Sequence, residues 1–217
     1  MKKIILTITS ASLIALTSCG GGEHDTTSET TTHETAEQTC LYSYADGSAT
    51  VNWTAFKTND RTAVGGMFDI VNVTAGEKSS KVTDVLETIK FNIPTSSTNT
   101  SNPDRDTKIK EQFFGQMEAT DLIIGQVKSA TGDNEKGTCT FYLTLNNREQ
   151  EVVMNYEMND ARIKLTGEID VTNWGAEGAV ESLNKACEAL HTGSDGVSKT
   201  WPNVGLVIEA SFHKDCH

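Results

Sequence analysis

Six segments of this 217-residue chain alternate apolar and polar residues with a period of two, and this alternation constrains the fold more than any other feature. Successive side chains of a β-strand point to opposite faces, so the pattern is typical of strands with one buried face. Asn146-Asn147 and Asn159-Asp160 separate neighbouring segments and suit tight turns, because Asn and Asp tolerate the left-handed conformation. The pattern predicts a meander of antiparallel strands in one domain, residues 40–217. The apolar positions of the six segments are Ala49, Val51, Trp53 and Ala55; Ile89, Phe91 and Ile93; Cys139, Phe141, Leu143 and Leu145; Val152, Met154, Tyr156 and Met158; Ile163, Leu165 and Ile169; and Val204, Leu206, Ile208, Ala210 and Phe212.

The number of predicted strands limits the architecture. About eight strands without a signal for parallel crossovers leave a β-sandwich or an antiparallel barrel. Closing the sheet removes its exposed edges, which favours an all-β barrel for a chain with several long strands. A barrel of about eight strands either fills its interior with side chains or holds one small ligand, and periodicity alone is compatible with both.

Two segments depart from the alternation and predict short helical insertions. Asn102-Pro103-Asp104 has the signature of a helix start, with an Asn N-cap, Pro at the first helical position and acids in the first turn. Ile109 and Phe113 follow on one stripe of that helix. The second helix is expected over residues 176–190, and Gly193 lies just beyond its end. Its apolar face comprises Ala179, Val180, Leu183, Cys187 and Leu190.

Residues 1–18 have the features of a bacterial lipoprotein signal peptide. Two lysines precede a short apolar stretch, and Leu16-Thr17-Ser18-Cys19 resembles a lipobox. The stretch is too short and too often interrupted by Thr and Ser to span a membrane. We therefore expect cleavage before Cys19, acylation of Cys19 as the membrane anchor, and a cell-envelope location on the periplasmic or outer-surface side. The alternative is an ordinary cleaved signal with an incidental Cys. Residues 19–39 then form a flexible Thr- and Glu-rich tether, because they lack bulky apolar side chains.

Four further cysteines follow Cys19, and export allows them to form disulfides. They allow three pairings and have no Cys-x-x-Cys spacing, so zinc and redox motifs have little support. In a closed meander the first and last strands are antiparallel neighbours, which brings Cys40 toward Cys216. We predict that pairing, with Cys187 as the main competitor for either partner.

No catalytic arrangement stands out in the sequence, and no metal or cofactor is expected. Asn102-x-Asp104-x-Asp106 resembles the start of an EF-hand calcium loop. However, Thr107 stands where the loop requires Gly, and Phe113 stands where it requires the final Glu. A Gly-x-Ser-x-Gly nucleophile elbow is also missing. The formal net charge of −12 disfavours a nucleic-acid partner, since phosphate binding requires clustered Lys and Arg. These features predict a binding protein and not an enzyme.

Three blocks of the sequence resemble the YceI-like family of lipocalin-like, polyisoprenoid-binding proteins. The resemblance covers residues 40–217, and the Arg-Asp pair followed by two Phe is its most specific element. It implies an extended eight-stranded antiparallel lipocalin-like barrel whose apolar tunnel binds a long isoprenoid or a similar amphiphile. Many relatives have Asp after the Phe pair, where this chain has Gly115. The blocks are Trp53-Thr-Ala-Phe56-Lys57 with Val64-Gly65-Gly66-Met67-Phe68; Asn102-Pro-Asp104-Arg105-Asp106 with Ile109 and Phe113-Phe114; and residues 191–204, which include Asp195-Gly196, Lys199 and Trp201-Pro202-Asn203-Val204.

The resemblance and the helix geometry together indicate a ligand site in the barrel interior and at its mouth. Arg105, Ile109 and Phe113 share one helix stripe, so Arg105 lies at the rim if the other two face the barrel. There its guanidinium meets a phosphate, carbonyl or carboxylate head group, or instead pairs with an acid and stiffens the loop. The predicted ligand-binding residues are Trp53, Phe68, Phe91, Arg105, Ile109, Phe113, Phe141, Leu143, Met154, Tyr156 and Leu165.

Two functions are compatible with this sequence. The first is a lipid-anchored protein that carries or sequesters an isoprenoid, a quinone or a fatty-acid derivative. The second is a surface interaction protein whose barrel is solidly packed and whose outer face binds another protein. Native mass spectrometry of the purified soluble domain distinguishes the two, since co-purifying lipid would support the first function and a dry, ligand-free barrel would favour the second.

Overall fold

The computed structural model describes residues 39–217, which fold around one curled sheet of eleven strands. All the strand pairs are antiparallel. The order is β4-β5-β7-β8-β9-β10-β11-β2-β3-β6, with β1 paired to β11 off this path. The strands are β1 Cys40–Tyr44, β2 Thr50–Lys57, β3 Thr62–Phe68, β4 Asn72–Thr74, β5 Lys90–Pro94, β6 Thr98–Asn99, β7 Leu122–Gly132, β8 Lys136–Leu145, β9 Arg148–Asn159, β10 Arg162–Asp170 and β11 Thr200–Cys216.

The all-β prediction is confirmed, but the expected count of eight strands is wrong. Two of the additional strands, β4 and β6, are only three and two residues long, too short to show a period. The long strand β7 was not predicted, because Gly125 interrupts its apolar positions and a bulge between Val127 and Ser129 shifts its register. The sheet is also curled and not closed by hydrogen bonds, since β4 and β6 end its strand order within the described residues.

Tight turns connect the long central strands, as their Asn and Asp residues predict. Asn146 and Asn147 both have positive φ, 50° and 53°, which suits the two-residue hairpin between β8 and β9. The next turn is displaced by one residue from the prediction. Asn159 still pairs with Arg162 in the ladder, so the turn is centred on Asp160, with φ 57°, and on Ala161.

Within residues 39–217, four α-helices accompany the sheet, where two were expected. They are α1 Val82–Glu87, α2 Pro103–Gln112, α3 Glu177–Ala186 and α4 Glu188–His191. The α2 helix begins as predicted, because the Asn102 side chain accepts a hydrogen bond from the Arg105 amide at 3.1 Å. The predicted second helix is interrupted at Cys187, which separates α3 from α4. The described part of the chain also has three 3₁₀ helices, Thr95–Ser97, Phe114–Gln116 and Val171–Trp174.

The four cysteines of residues 39–217 form one disulfide, between the first and last strands. Cys40 and Cys216 are direct partners in the β1–β11 ladder and are bonded to each other, the pairing that the sequence favoured. Cys139 and Cys187 are free and buried. Burial, with a smaller contribution from the charge of Glu87, raises the pKa of the Cys139 thiol to about 12, so it stays protonated.

The N-terminal predictions lie outside the described residues. This applies to the signal peptide, the acylation of Cys19 and the tether up to Gln38, all of which stay predictions. Within residues 39–217, none of the helices combines the length and apolar character needed to span a bilayer.

Candidate ligand-binding cavity

The concave face of the sheet encloses an apolar space, which we call the inner cavity. Its lining side chains come from every strand except β6, from Leu86 of α1 and from the connecting residues Ala49, Val71 and Ile89, and all are apolar or aromatic. About 120 Å³ of it is open to a water-sized sphere. An apolar cavity of this kind has no polar partners for water and is suited to a hydrocarbon chain. The barrel interior is therefore not solidly packed.

Three aromatic side chains lie along the wall of the barrel because each faces a glycine on the neighbouring strand. Trp53 pairs with Gly66, and Phe91 pairs with Gly125. A Cβ atom at either glycine would lie 2.2 Å from the opposite ring, so each ring covers the glycine backbone. The third pair is Tyr156 with Gly137 on β8. Rings that lie flat on the wall leave the centre of the barrel free.

The inner cavity continues into a second apolar space, which we call the neck. Phe68, Ile123 and Leu206 line both spaces. The neck is covered by α2 and α3, which contribute Ile109 and Leu183, and about 130 Å³ of it is open to a water-sized sphere. The helical insertions therefore narrow one end of the barrel interior.

A third and more polar space, which we call the mouth pocket, adjoins the neck. The two share Trp53, Ala55, Ile109, Leu183 and Thr200. The mouth pocket is wider, with about 350 Å³ open to a water-sized sphere. A narrow apolar interior with a roomier polar opening has the shape expected for a site that binds an amphiphile by its tail.

Strand β11 runs along all three spaces, and its lining residues show the order of these spaces from one end of the barrel to the other. Thr200 lines the mouth pocket, Val204 the neck, and Ile208 the inner cavity, while Cys216 lies beyond them. Thr200 and Cys216 are the two ends of this 17-residue strand, which corresponds to roughly 50 Å of extended chain. The mouth and the disulfide therefore lie at opposite ends of β11.

Cationic side chains dominate the charge of the mouth pocket. Lys57, Arg105 and Lys108 line it, and Asp104 is its one acidic lining residue in the described part of the chain. The Lys57 Nζ donates to the Leu190 carbonyl at 2.9 Å, which holds the ammonium in place. Across residues 39–217, none of the three cations has a carboxylate within 4.0 Å.

The pKa of His191 is affected by its burial and by the positive charges of the mouth pocket. Its Nδ1 lies 2.6 Å from the Thr200 hydroxyl. Partial burial lowers the pKa of His191, and the charges of Lys57 and Lys108 lower that pKa further. The ring is therefore neutral at pH 7 and adds a polar, uncharged edge to the pocket.

Two buried polar atoms in the described residues have no hydrogen-bond partner. They are the Tyr44 hydroxyl and the Trp53 indole Nε1, whose side chains belong to residues only 7% and 9% exposed. Buried donors of this kind are normally paired, because an unmade hydrogen bond is costly. Tyr44 lines the inner cavity, and Trp53 lines both the neck and the mouth pocket.

The structure brings ten of the eleven predicted ligand-binding residues to these spaces. Arg105 is exposed at the mouth, and within residues 39–217 it forms no ion pair with a carboxylate. Tyr156 is the exception. It is 1% exposed, lines none of the three spaces, and donates its hydroxyl to the Asp133 carbonyl at 2.6 Å. The other nine are Trp53, Phe68, Phe91, Ile109, Phe113, Phe141, Leu143, Met154 and Leu165.

Sequence reasoning missed part of the site. Ile163 alternates in phase with the predicted Leu165, and Leu206 and Ile208 belong to the apolar face of the last alternating segment, so the period of two was the signal that could have identified them. Lys57 follows the same phase as Trp53 and Ala55 on β2, which places this cation on the inner face of the strand. Lys108 gave no such signal. Groups of His, Cys, Asp and Glu suited to a metal are not found within residues 39–217.

A curled antiparallel sheet around an apolar cavity with a polar mouth defines an all-β protein of the half-barrel type, which is consistent with a lipocalin-like barrel. Two further features point to one family within this class. They are the helical insertions over the neck and the sequence block from Asn102 to Phe114. The chain belongs to the YceI-like domain family, whose model matches residues 42–210.

Solved structures show the same fold at low sequence identity. A polyisoprenoid binding domain from Saccharophagus degradans, implicated in plant cell wall breakdown, superposes with a TM-score of 0.58 at 14% identity, covering 81% of this chain and 98% of that one. Burkholderia cenocepacia BcnA superposes with a TM-score of 0.56 at 10% identity, covering 76% and 96% of the two chains. No curated protein matches the chain by sequence.

Proposed function

We propose that this protein is a lipid-anchored component of the bacterial cell envelope that binds one long apolar amphiphile, for carriage or sequestration. The ligand is an isoprenoid, a quinone or a fatty-acid derivative. The observation that carries the proposal is the apolar inner cavity, which continues through the neck to a cationic mouth. A barrel that served only as a surface for a protein partner would need no such interior. The proposed activity is binding without catalysis.

The tail of the ligand supplies most of the affinity in this proposal. Burying a methylene group contributes about 0.8 kcal/mol, and the lining of the inner cavity is apolar throughout. A hydrogen bond to a charged head group adds about 1.5–3 kcal/mol. A tail of about ten methylenes therefore outweighs the head, which orients the ligand more than it holds it.

The family supports an isoprenoid tail. The chain is a YceI-like domain, and a solved protein of the same fold is described as a polyisoprenoid binding domain. A branched, unsaturated chain suits a cavity lined by aromatic and branched aliphatic side chains, since these leave an irregular, narrow path.

Two features support the proposed location in the cell envelope, the lipobox and the disulfide. Leu16-Thr17-Ser18-Cys19 is the motif expected of an acylated N-terminus, and two or three acyl chains anchor a protein stably. The Cys40–Cys216 disulfide is suited to an oxidising compartment such as the bacterial periplasm.

Native mass spectrometry of the purified protein tests the proposed function. We expect a complex with one molecule of an amphiphile that co-purifies, and extraction with organic solvent should return the protein to its ligand-free mass. Incubation of the extracted protein with a mixed bacterial lipid extract should restore the complex. A protein that purifies empty and stays empty in the presence of the lipid extract would contradict the proposal.

Replacing Arg105 with alanine should weaken the binding of a polar-headed lipid and leave a hydrocarbon almost unaffected. The expected loss for the lipid is roughly ten- to a hundredfold, because about 1.4 kcal/mol corresponds to a factor of ten. Titration of the tryptophan fluorescence with each ligand measures both affinities.

Arg162→Ala is the matched control, since Arg162 is exposed on β10 and does not line the three spaces. If Arg105→Ala weakens both ligands equally at unchanged folding stability, then Arg105 shapes the barrel and does not contact the head group.

A further inference from the structure

We propose that the end of the inner cavity remote from the mouth is a polar subsite, in which the Tyr44 hydroxyl binds an uncharged oxygen at the far end of the ligand's tail. This inference rests on the proposed function, because it assumes that the tail enters through the neck and occupies the inner cavity. It makes the protein selective for amphiphiles whose tail ends in a hydroxyl or carbonyl group over amphiphiles with a plain hydrocarbon tail.

Tyr44 lies at the end of the inner cavity that is farthest from the mouth, which we call the distal end. It pairs with Phe212 in the β1–β11 ladder, and Phe212 is the last residue of β11 that lines the inner cavity. The stretch of β11 from Thr200 in the mouth pocket to Phe212 corresponds to roughly 40 Å of extended chain. A group beside Tyr44 is therefore the end of the tail that enters first, and not the head group.

The Tyr44 hydroxyl is buried without a hydrogen-bond partner. The residue is 7% exposed and lines the inner cavity. Among the residues of the described chain that line this cavity, Tyr44 alone carries an O–H or N–H group on its side chain. Buried hydroxyls are normally paired, because an unmade hydrogen bond is costly. A hydroxyl that the protein leaves unpaired beside a ligand cavity indicates that the ligand supplies the partner.

Packing does not account for this hydroxyl. The ring of Tyr44 contacts Phe212 edge-on, with the ring centroids 6.5 Å apart and an interplanar angle of 88°. A phenylalanine ring would make the same contact without burying a polar group. Tyr156, by contrast, is a buried tyrosine whose hydroxyl serves the fold, since it donates to the Asp133 carbonyl at 2.6 Å. The hydroxyl of Tyr44 is therefore free to bind an atom that enters the cavity.

The surroundings of Tyr44 favour an uncharged partner. Within residues 39–217, no charged side chain lines the inner cavity. A carboxylate or phosphate at the distal end would therefore lose its hydration without gaining a counter-charge. A hydroxyl or carbonyl oxygen requires only one hydrogen bond, which the Tyr44 hydroxyl can donate. Ala49 and Ala210 also line the inner cavity, and their small side chains leave room for such a group.

The test compares fatty acids that differ only at the far end of the tail. Native mass spectrometry of the lipid-extracted protein, mixed with equal amounts of a fatty acid and its ω-hydroxy derivative, measures the ratio of the two complexes. A series from hexadecanoic to octacosanoic acid identifies the chain length that reaches Tyr44. At that length, we expect Tyr44→Phe to lower the proportion of the ω-hydroxy complex, relative to the plain one, by roughly tenfold, on the scale of one hydrogen bond. Comparing two ligands in two proteins isolates this single contact.

Tyr42→Phe is the matched control, because Tyr42 is a buried tyrosine of the same strand that does not line the inner cavity. It should leave the ratio of the two complexes unchanged. Thermal unfolding of the ligand-free protein gives a second measurement. Tyr44→Phe should melt at the same temperature as the unchanged protein or higher, because it removes a buried hydroxyl that has no partner. Tyr156→Phe should melt at a lower temperature, because it removes the hydrogen bond to the Asp133 carbonyl.

The outcomes separate this inference from the proposed function. A ratio of complexes that is the same for the unchanged protein and Tyr44→Phe at every chain length would overturn the distal subsite while leaving the lipid-binding function in place. A ligand-free Tyr44→Phe protein that loses as much stability as Tyr156→Phe would also overturn it, by showing that the hydroxyl already has a partner. Failure of every fatty acid, plain or ω-hydroxylated, to bind would contradict the proposed function itself.

Discussion

Replacing Ala55 with phenylalanine is expected to reduce the binding of a long-chain amphiphile by more than a hundredfold. Ala55 lines both the neck and the mouth pocket, where its methyl group leaves the passage open. A benzyl group at this position fills the space that the tail must cross. Excluding about four methylenes from the interior removes about 3 kcal/mol, and about 1.4 kcal/mol corresponds to a factor of ten. Fluorescence titration and native mass spectrometry measure the loss.

Thr54→Phe is the matched control for this experiment. Thr54 is the neighbouring residue on β2 and faces outward, and its partners in the ladder are Gly65 and Gly205, which leave space for a ring. The control should bind ligand as the unchanged protein does. If Ala55→Phe binds normally while folding normally, the tail does not pass through the neck, and the proposed route of the ligand is wrong.

Removing the disulfide should lower the free energy of unfolding by about 3–5 kcal/mol. The bond closes a loop of 176 residues between Cys40 and Cys216, and the entropy lost by the unfolded chain grows with the length of such a loop. The melting temperature of the Cys40→Ser/Cys216→Ser variant should fall by roughly 6–20 °C, at about 2–4 °C per kcal/mol for a domain of this size. Denaturant titration and calorimetry measure the two quantities.

Two further variants make this result interpretable. The single Cys40→Ser change should destabilise the protein about as much as the double change, because either one removes the crosslink. Cys187→Ser leaves the crosslink intact and should retain most of the stability. A loss below about 1 kcal/mol in the double variant would mean that the unfolded chain gains little freedom from losing the bond.

The parts of the fold that follow from local periodicity could be predicted from the sequence. The apolar phase of β8, β9 and β10 identified the inner face, and the start of α2 could be predicted from Asn102 and Pro103. The disulfide was predicted from topology alone, by making the first and last strands antiparallel neighbours, and Cys40 and Cys216 are partners in the β1–β11 ladder. None of these inferences requires knowledge of side-chain packing.

The missed features depend on contacts between distant segments. Strand β7 was hidden by its bulge, where the extra residue near Lys128 reverses the phase of the apolar positions. The role of Tyr156 was predicted wrongly, because only the folded chain places the Asp133 carbonyl at its hydroxyl. Similarly, Lys57 becomes part of a pocket only when the carboxyl end of α4 supplies the Leu190 carbonyl to its ammonium group.

The position of the Cys40–Cys216 bond determines how the fold responds to a mechanical load on its N-terminus. A pull on the preceding segment reaches the sheet at Cys40, at the outer end of the β1–β11 ladder. Without the bond, this force would open the ladder one residue pair at a time. With the bond, the force passes to Cys216 and then along β11, which is hydrogen-bonded to β10 on one side and to β2 on the other. Sliding β11 between two neighbours requires many hydrogen bonds to break at once. A load on the N-terminus therefore passes along β11 and is not carried by the β1–β11 ladder alone, and the mouth lies at the far end of β11.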